Sequence, residues 1–581
     1  MNLTLKLPRF FLSLSFFVSL TALLFAQTND YDLLIKNGKI YDGTGNPWFY
    51  ADVAVSNGKI VSVGKLEGAK AARTIDAGGK IVVPGFIDIH SHADDGARPQ
   101  GGLRDNDPKR RAAPNIVMQG VTTVVVNQDG RSPWPINQQA SQLFEKGVGP
   151  NAALLFGHGT IRLRVMKKDF RRAATESEIA KMRELAKQAM DEGALGMSAG
   201  LEYIPGRWST TDEVVAIAQE IAAYNGVYIS HQRSEGTDPM WFWPTRHDPG
   251  APTLLDAVME TIEVSERSGV TAVCSHIKTK GAHFWGASGA AIQLIEAARA
   301  RGVNVWADQY PYNTSGTDGN TTLIPYWIFD SENQFYMPRQ RDQQVNYAEK
   351  LRAKLNDEAE ITKLERDIAH EIRRRGGAEN VVVFDYPDSS LIGKSLAELA
   401  QMRNQSPIEM AITLQLEGFP KRRGGARLRG FSMSEIDLEA YGAKPWVMTC
   451  SDGGIAMPGD GPVHARFYGT FPRKIRHYAL NRGVISVENA IRSMTSLPAQ
   501  VLGLRDRGMI REGFWADITV IDLENLRDAA TFENPHQYAE GVEHVFVNGK
   551  IVVENSELTW ALPGVVLRNK KHHSEQATAS E

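Results

Sequence analysis

Two periodicities alternate along this chain. Short β-branched runs, in which apolar side chains follow one another directly, are separated by helix-length stretches whose apolar residues recur on one face. The strand-like runs fall at residues 81–92, 121–128, 152–158, 194–202, 227–231, 271–276, 303–310 and 447–452. Amphipathic helix patterns lie between many of them, for example at 176–192, 211–224 and 290–301. Strands that alternate with helices make parallel βαβ units, and eight such strands predict an α/β fold closed as a (β/α)8 barrel of the TIM type.

A second unit flanks the barrel. The string NGKI occurs at 37–40, 57–60 and 548–551, each time beside strand-like residues. Asn-Gly is a strong hairpin signal because both turn positions tolerate positive φ. Two copies precede the barrel and one follows it, so a small β-sandwich is expected from both chain ends, residues 27–83 with 507–568. The barrel then occupies 84–506. Between its seventh and eighth strands runs a connection at about 325–444, long enough for an insertion subdomain on the catalytic face. Its stretch 347–375 is charged and helical in pattern, and 381–384 reads as a strand.

The two termini read differently. Lys6 and Arg9 precede an apolar run from Phe10 to Phe25, with Ala26 as a small residue before Gln27. Residues 1–26 therefore read as a signal peptide, and the mature chain as exported, periplasmic or secreted, with no membrane attachment after cleavage. An uncleaved anchor is the alternative, since Leu24 stands three residues before the break. No Cys follows the run, which argues against a lipoprotein. Residues 569–581 are polar and expected to be disordered; His572 and His573 within them indicate no metal site.

Composition narrows the function. The net charge of −3 supplies no basic field for nucleic acid. The cysteines, Cys274 and Cys450, lie in separate apolar segments and read as buried thiols rather than a disulfide framework. There is no GxxxxGK[ST] loop for phosphates.

The chemistry concentrates at strand ends. In GFIDIHSHADD (85–95), His90 and His92 are two apart in a predicted strand and face one side. His231 ends the fifth strand in VYISHQRSE, His276 the sixth in AVCSHIK, and Asp452 the eighth in VMTCSDGG. Barrel interiors favour branched apolar residues, so these five point to a divalent metal at the C-terminal mouth.

This HxH, His, His, Asp pattern resembles the amidohydrolase superfamily. More specifically, GFIDIHSHADD, GVTTVVV, GLEYIPG, HQRSE, SHIK, DQYPY, TCSDGG, HARFYGTFPR and REGFWADITVID resemble the N-acyl-D-amino-acid deacylase (D-aminoacylase) family from about Asp32 to Ala561. The resemblance implies zinc, one ion or two, and hydrolysis of an N-acyl-D-amino acid to a carboxylate and a free D-amino acid. In that family a Cys after strand two binds zinc; here Asn127-Gln128-Asp129-Gly130 puts Asp129 in its place. Asp129 joins His90, His92, His231, His276 and Asp452 as a ligand candidate, but a carboxylate is harder than a thiolate, so metal identity and number stay open.

Asp452 is the expected general base. The resemblance makes Lys278, Tyr310 and Arg466 candidates for binding the substrate carboxylate. Arg233, two after His231, is a further candidate, although it is also placed to pair with Glu235. His158 in FGHGT is read either as reaching the mouth or as a core histidine, and Glu202 or Tyr203 as meeting substrate. The partner is then a small N-acyl amino acid or short peptide; oligomeric state is open. Rival readings are a dipeptidase, a cyclic-amide hydrolase and an inactive binding barrel. Cyclic-amide hydrolases of this superfamily bridge two metals with a carbamylated Lys on strand four, and this chain has no Lys from 194 to 207.

Overall fold

The computed structural model describes residues 30–94, 96, 100–316, 321–329 and 345–569. The predicted signal peptide lies outside them, as does the polar tail beyond Asn569. Among the described residues no helix is long and apolar enough to cross a membrane.

Eight parallel strands form the central barrel: β1 (Phe86–Asp88), β2 (Val121–Val126), β3 (Asn151–Gly157), β4 (Gly196–Gly200), β5 (Val227–His231), β6 (Thr271–Cys274), β7 (Val305–Gln309) and β8 (Val447–Thr449). They pair in chain order from β1 to β8. The seam between β8 and β1 closes through loop backbone: Asp452 N donates to His90 O at 2.9 Å and His92 N to Gly453 O at 2.8 Å. Helices follow most strands, several started by reciprocal capping. Thr175 and Glu178 cap Glu176–Asp191, and Thr253 and Asp256 cap Leu254–Ser268.

The run read as one first strand is two. Ile81–Pro84 belongs to the end sheet and Phe86–Asp88 to the barrel. The chain bends at Gly85, where a Cβ would stand 2.3 Å from the Thr122 side chain. His90 and His92 therefore follow the strand instead of ending it, on a segment tied to Gly453.

The end sheet has nine strands drawn from both chain ends, with Ile518–Ile521 hydrogen-bonded to Ile81–Pro84. Leu33, Ile35, Val53 and Val55 from one end share an apolar core with Ile518, Val520 and Phe546 from the other. Two NGKI copies behave as expected: Asn57-Gly58 and Asn548-Gly549 take φ of 51°, 74° and 51°, 74° at hairpin turns. These turns pack together so closely that a Cβ on Gly549 would lie 2.8 Å from Gly58 Cα. The first copy is no hairpin. Asn37 sits inside the strand Tyr31–Ile40, where the pairing register with Phe49–Ser56 shifts at a bulge. The last strand, Val566–Leu567, leaves the sheet to pair with β3 of the barrel. Asn569, placed in the disordered tail from sequence, is buried and donates to Ala194 O at 2.9 Å.

The segment between β7 and β8 has its own core, including Leu323, Trp327, Leu364, Ile368, Val381 and Leu414. Its helical stretch is two helices, Tyr347–Lys354 and Glu358–Arg374, and Val381–Asp385 pairs antiparallel with Arg427–Gly430. It rests on the loop after β5: Thr245 N donates to Asp367, and Asp238 pairs with His370 and Arg374, each contact at 3.1–3.2 Å. The insertion is thereby braced against the loops at the C-terminal end of the barrel strands.

Candidate active site

At the C-terminal mouth, six predicted residues from five strand ends converge. Asp129, in the turn after β2, is the centre. One of its oxygens lies 3.6 Å from His90 Nε2, 3.6 Å from His231 Nδ1 and 3.7 Å from His276 Nε2. The other lies 3.7 Å from His92 Nε2. Asp452 stands opposite, 3.7 Å from His90 Nε2 and 3.0 Å from His92 Nε2. Three of these residues are held in the left-handed region without being glycine: Asp129 at φ 58°, His276 at 36° and Asp452 at 47°. Such conformations cost energy and concentrate at functional sites.

The donors fit a divalent ion. Ligands at ~2.0–2.2 Å around a tetrahedral ion stand about 3.3 Å apart, close to the separations seen around Asp129. Among the described residues, His90 Nε2 and Asp129 Oδ1 are buried with no hydrogen-bond partner, which is costly unless another group takes up their lone pairs. His90, His92 and Asp129 offer one compact set of donors, and Asp129, His231 and His276 another. Imidazole with carboxylate suits a borderline ion such as zinc.

Electrostatics keep the carboxylates charged. Burial alone raises Asp129, but His231, His276, His90 and His92 outweigh it and hold it far below the usual range. Burial opposes ionisation of Asp452 too, and Arg466 with the imidazoles overrides it. Burial and the other histidines push His90 well below its ordinary value. His276 goes the other way: burial and Lys278 lower it, yet Asp129, Glu235 and Asp452 bring it up to about 9.

Lys278, Tyr310 and Arg466 lie together beside the cluster. Arg466 Nη1 is 2.9 Å from Asp452 Oδ2, and both cations lie over the Tyr310 ring, Arg466 at 4.5 Å and Lys278 at 5.4 Å. The Tyr310 hydroxyl is buried without a hydrogen-bond partner among the described residues. Burial pushes it up to about 12, against the pull of both cations.

Some expectations change. The structure does not bring Arg233 to the cluster. Its guanidinium pairs with Glu260 at 2.7 Å and donates to the carbonyls of Arg207 and Ser209, because its side chain leaves the strand end toward the neighbouring helix. Glu235, its anticipated partner, instead holds Lys278 and Lys280 and lies 3.2 Å from His276 Nδ1. His158 takes the core reading: it is buried, 2.9 Å from Glu213, which also binds Arg162. Glu202 meets His231 Nε2 at 3.1 Å, so it touches a candidate ligand directly. Asp88 and Asp308, buried beneath the cluster, were not anticipated. Their only sequence signal is that they sit inside GFIDIH and DQYPY.

Comparison with known proteins decides the family. The amidohydrolase family model matches residues 73–305 and 357–553. D-aminoacylase of Alcaligenes xylosoxydans xylosoxydans is 31% identical over 565 residues, covering 93% of this chain and 98% of the relative. This chain belongs to the D-aminoacylase family of amidohydrolases. N-acyl-D-glutamate deacylase of the same organism is 31% identical over 559 residues, covering 92% and 96%. Among solved structures, N-acyl-D-glutamate deacylase from Bordetella bronchiseptica, complexed with zinc and a phosphonate inhibitor, superposes with a TM-score of 0.68 at 28% identity, over 93% of this amidohydrolase and 99% of that chain.

Proposed function

We propose that this amidohydrolase cleaves the amide bond of N-acyl-D-amino acids, yielding a carboxylate and the free D-amino acid. The observation that carries the reading is the Asp129-centred cluster of four imidazoles, with Asp452 and Arg466 at its edge. Relatives named for D-aminoacylase and N-acyl-D-glutamate and N-acyl-D-aspartate deacylase activity support the substrate class. His90, His92, Asp129, His231 and His276, with Asp452, would hold zinc or a similar divalent ion. Such an ion polarises the scissile carbonyl and lowers the pKa of a water toward ~7.

The protein's own groups do the rest. Asp452, kept ionised by Arg466, accepts a proton as water adds to the carbonyl carbon and returns it to the nitrogen as the C–N bond breaks. Arg466 and the Tyr310 hydroxyl, which has no partner among the described residues, seat the substrate carboxylate, with Lys278 beside the Tyr310 ring adding positive charge. The start of the chain, Lys6 and Arg9 before an apolar run, supports export with cleavage near Ala26.

The test is elemental analysis of the purified mature chain, with assays of the same sample on N-acetyl-D- and N-acetyl-L-amino acids. Bound zinc with release of D-amino acid is expected. Metal-loaded protein that turns over only dipeptides or cyclic amides would replace this reading with one of its rivals.

A further inference from the structure

Asp308, in β7, is buried beneath the cluster. Its carboxylate accepts from Ser275 Oγ at 2.9 and 3.1 Å, and from the backbone N–H of His276 at 2.5 Å. Ser275 Oγ in turn lies 2.6 Å from His90 Nδ1. A hydroxyl has a single proton. Committed to Asp308, that proton leaves Ser275 only lone pairs for His90, so Nδ1 must carry the imidazole proton. The bare nitrogen is then Nε2, the one facing Asp129 at 3.6 Å with no hydrogen bond among the described residues. The same carboxylate pins the backbone of His276 in its left-handed conformation at φ 36°.

We propose that Asp308 is a positioning residue that sets two metal-facing imidazoles at once, the tautomer of His90 through Ser275 and the placement of His276 through its amide. The proposal rests on the metal-dependent reading above. Partners of this kind orient ligating histidines, and their loss typically weakens metal binding.

Asp308→Asn separates this role from mere packing. The new amide keeps an oxygen for His276 N–H, but its NH2 donates to Ser275, whose proton turns toward His90. His90 is then driven to the Nε2–H tautomer, which cannot ligate through the nitrogen facing Asp129. Two-bond 1H–15N spectra of metal-stripped, ring-labelled protein, with His90 assigned by its loss in His90→Gln, read this directly. The wild type is expected to show Nδ1–H and the variant Nε2–H, with zinc affinity by chelator competition falling ~10–100-fold. Ser275→Ala, which cuts the link to His90 and spares the His276 contact, is expected to remove the tautomer preference. It carries the test if Asp308→Asn does not fold. A folded Asp308→Asn that keeps Nδ1–H on His90 and an unchanged zinc affinity overturns the proposal, as does Ser275→Ala with the wild-type tautomer. A wild-type chain that binds no zinc defeats the metal reading instead, and the tautomer comparison, made without metal, remains separate from it.

Discussion

Arg466 and Asp452, fourteen positions apart, meet at 2.9 Å between Nη1 and Oδ2 in a site where both are buried. The other oxygen of Asp452 is 3.0 Å from His92 Nε2, so one carboxylate joins the cation beside Tyr310 to the histidine cluster. A buried ion pair contributes little net stability, because desolvation offsets most of its attraction. Its value here is orientation: Asp452 is held between the proposed metal and the proposed carboxylate seat.

Asp452→Asn keeps the shape and removes the proton acceptor. Turnover is expected to fall ~10²–10⁴-fold, while elemental analysis still finds metal on His90, His92, Asp129, His231 and His276. Undiminished kcat would remove Asp452 from its role.

Arg466→Lys replaces a fork with a point charge. KM for N-acetyl-D-amino acids is expected to rise about tenfold or more, through loss of a bidentate contact. Substrates lacking the carboxylate should be affected much less, and equal loss on both would show that Arg466 does not read that group.

His231→Ala removes a donor that faces Asp129 with one nitrogen and Glu202 with the other. Metal content and activity are expected to disappear together. Full metal content in the variant would shift the ligand set to the remaining residues.

Asp129→Cys exchanges a hard ligand for a soft one. Competition between zinc and manganese, read by chelator titration, is expected to move toward zinc. The variant should also be about 1 kcal/mol less stable, because Asp tolerates the left-handed backbone at φ 58° better than Cys does. An unchanged preference would argue that Asp129 does not bind the ion.

Glu371 gives the insertion a pH dependence. Burial raises its carboxyl, but Arg374 and Arg375, bonded at 2.9 and 2.6 Å, bring it down to about 2. A depressed folded-state pKa stabilises the protein fully above the unfolded value of 4.5, and that stability is lost as pH falls toward 2. The shift corresponds to ~3 kcal/mol. Glu371→Gln should therefore lower the melting temperature at pH 7 and flatten its dependence between pH 4.5 and 2, checked by thermal unfolding across that range.

The barrel was legible because its strands are continuous apolar runs between amphipathic helices, a pattern local to each segment. His90, His92, His231, His276 and Asp452 were legible too, since polar residues at the ends of such runs break the rule that barrel interiors are apolar. Asp129 was found only by resemblance, as an Asp in a turn has many local uses. Arg233 shows the limit of local spacing: two residues past His231 suggested one face, yet the chain leaves the strand there and Glu260 captures the guanidinium.

What the sequence by itself determined was the order of elements, the two-ended sheet and the set of groups able to do hydrolytic chemistry, because periodicity and residue type are written along the chain. Only the tertiary structure decided that Asn37 makes a bulge, that Gly85 divides the first strand, and that Glu235 serves His276 and Lys278 instead of Arg233. It also put Asp308 under Ser275. These depend on which strands become neighbours, and neighbours in a closed barrel are set by pairing across large sequence separations.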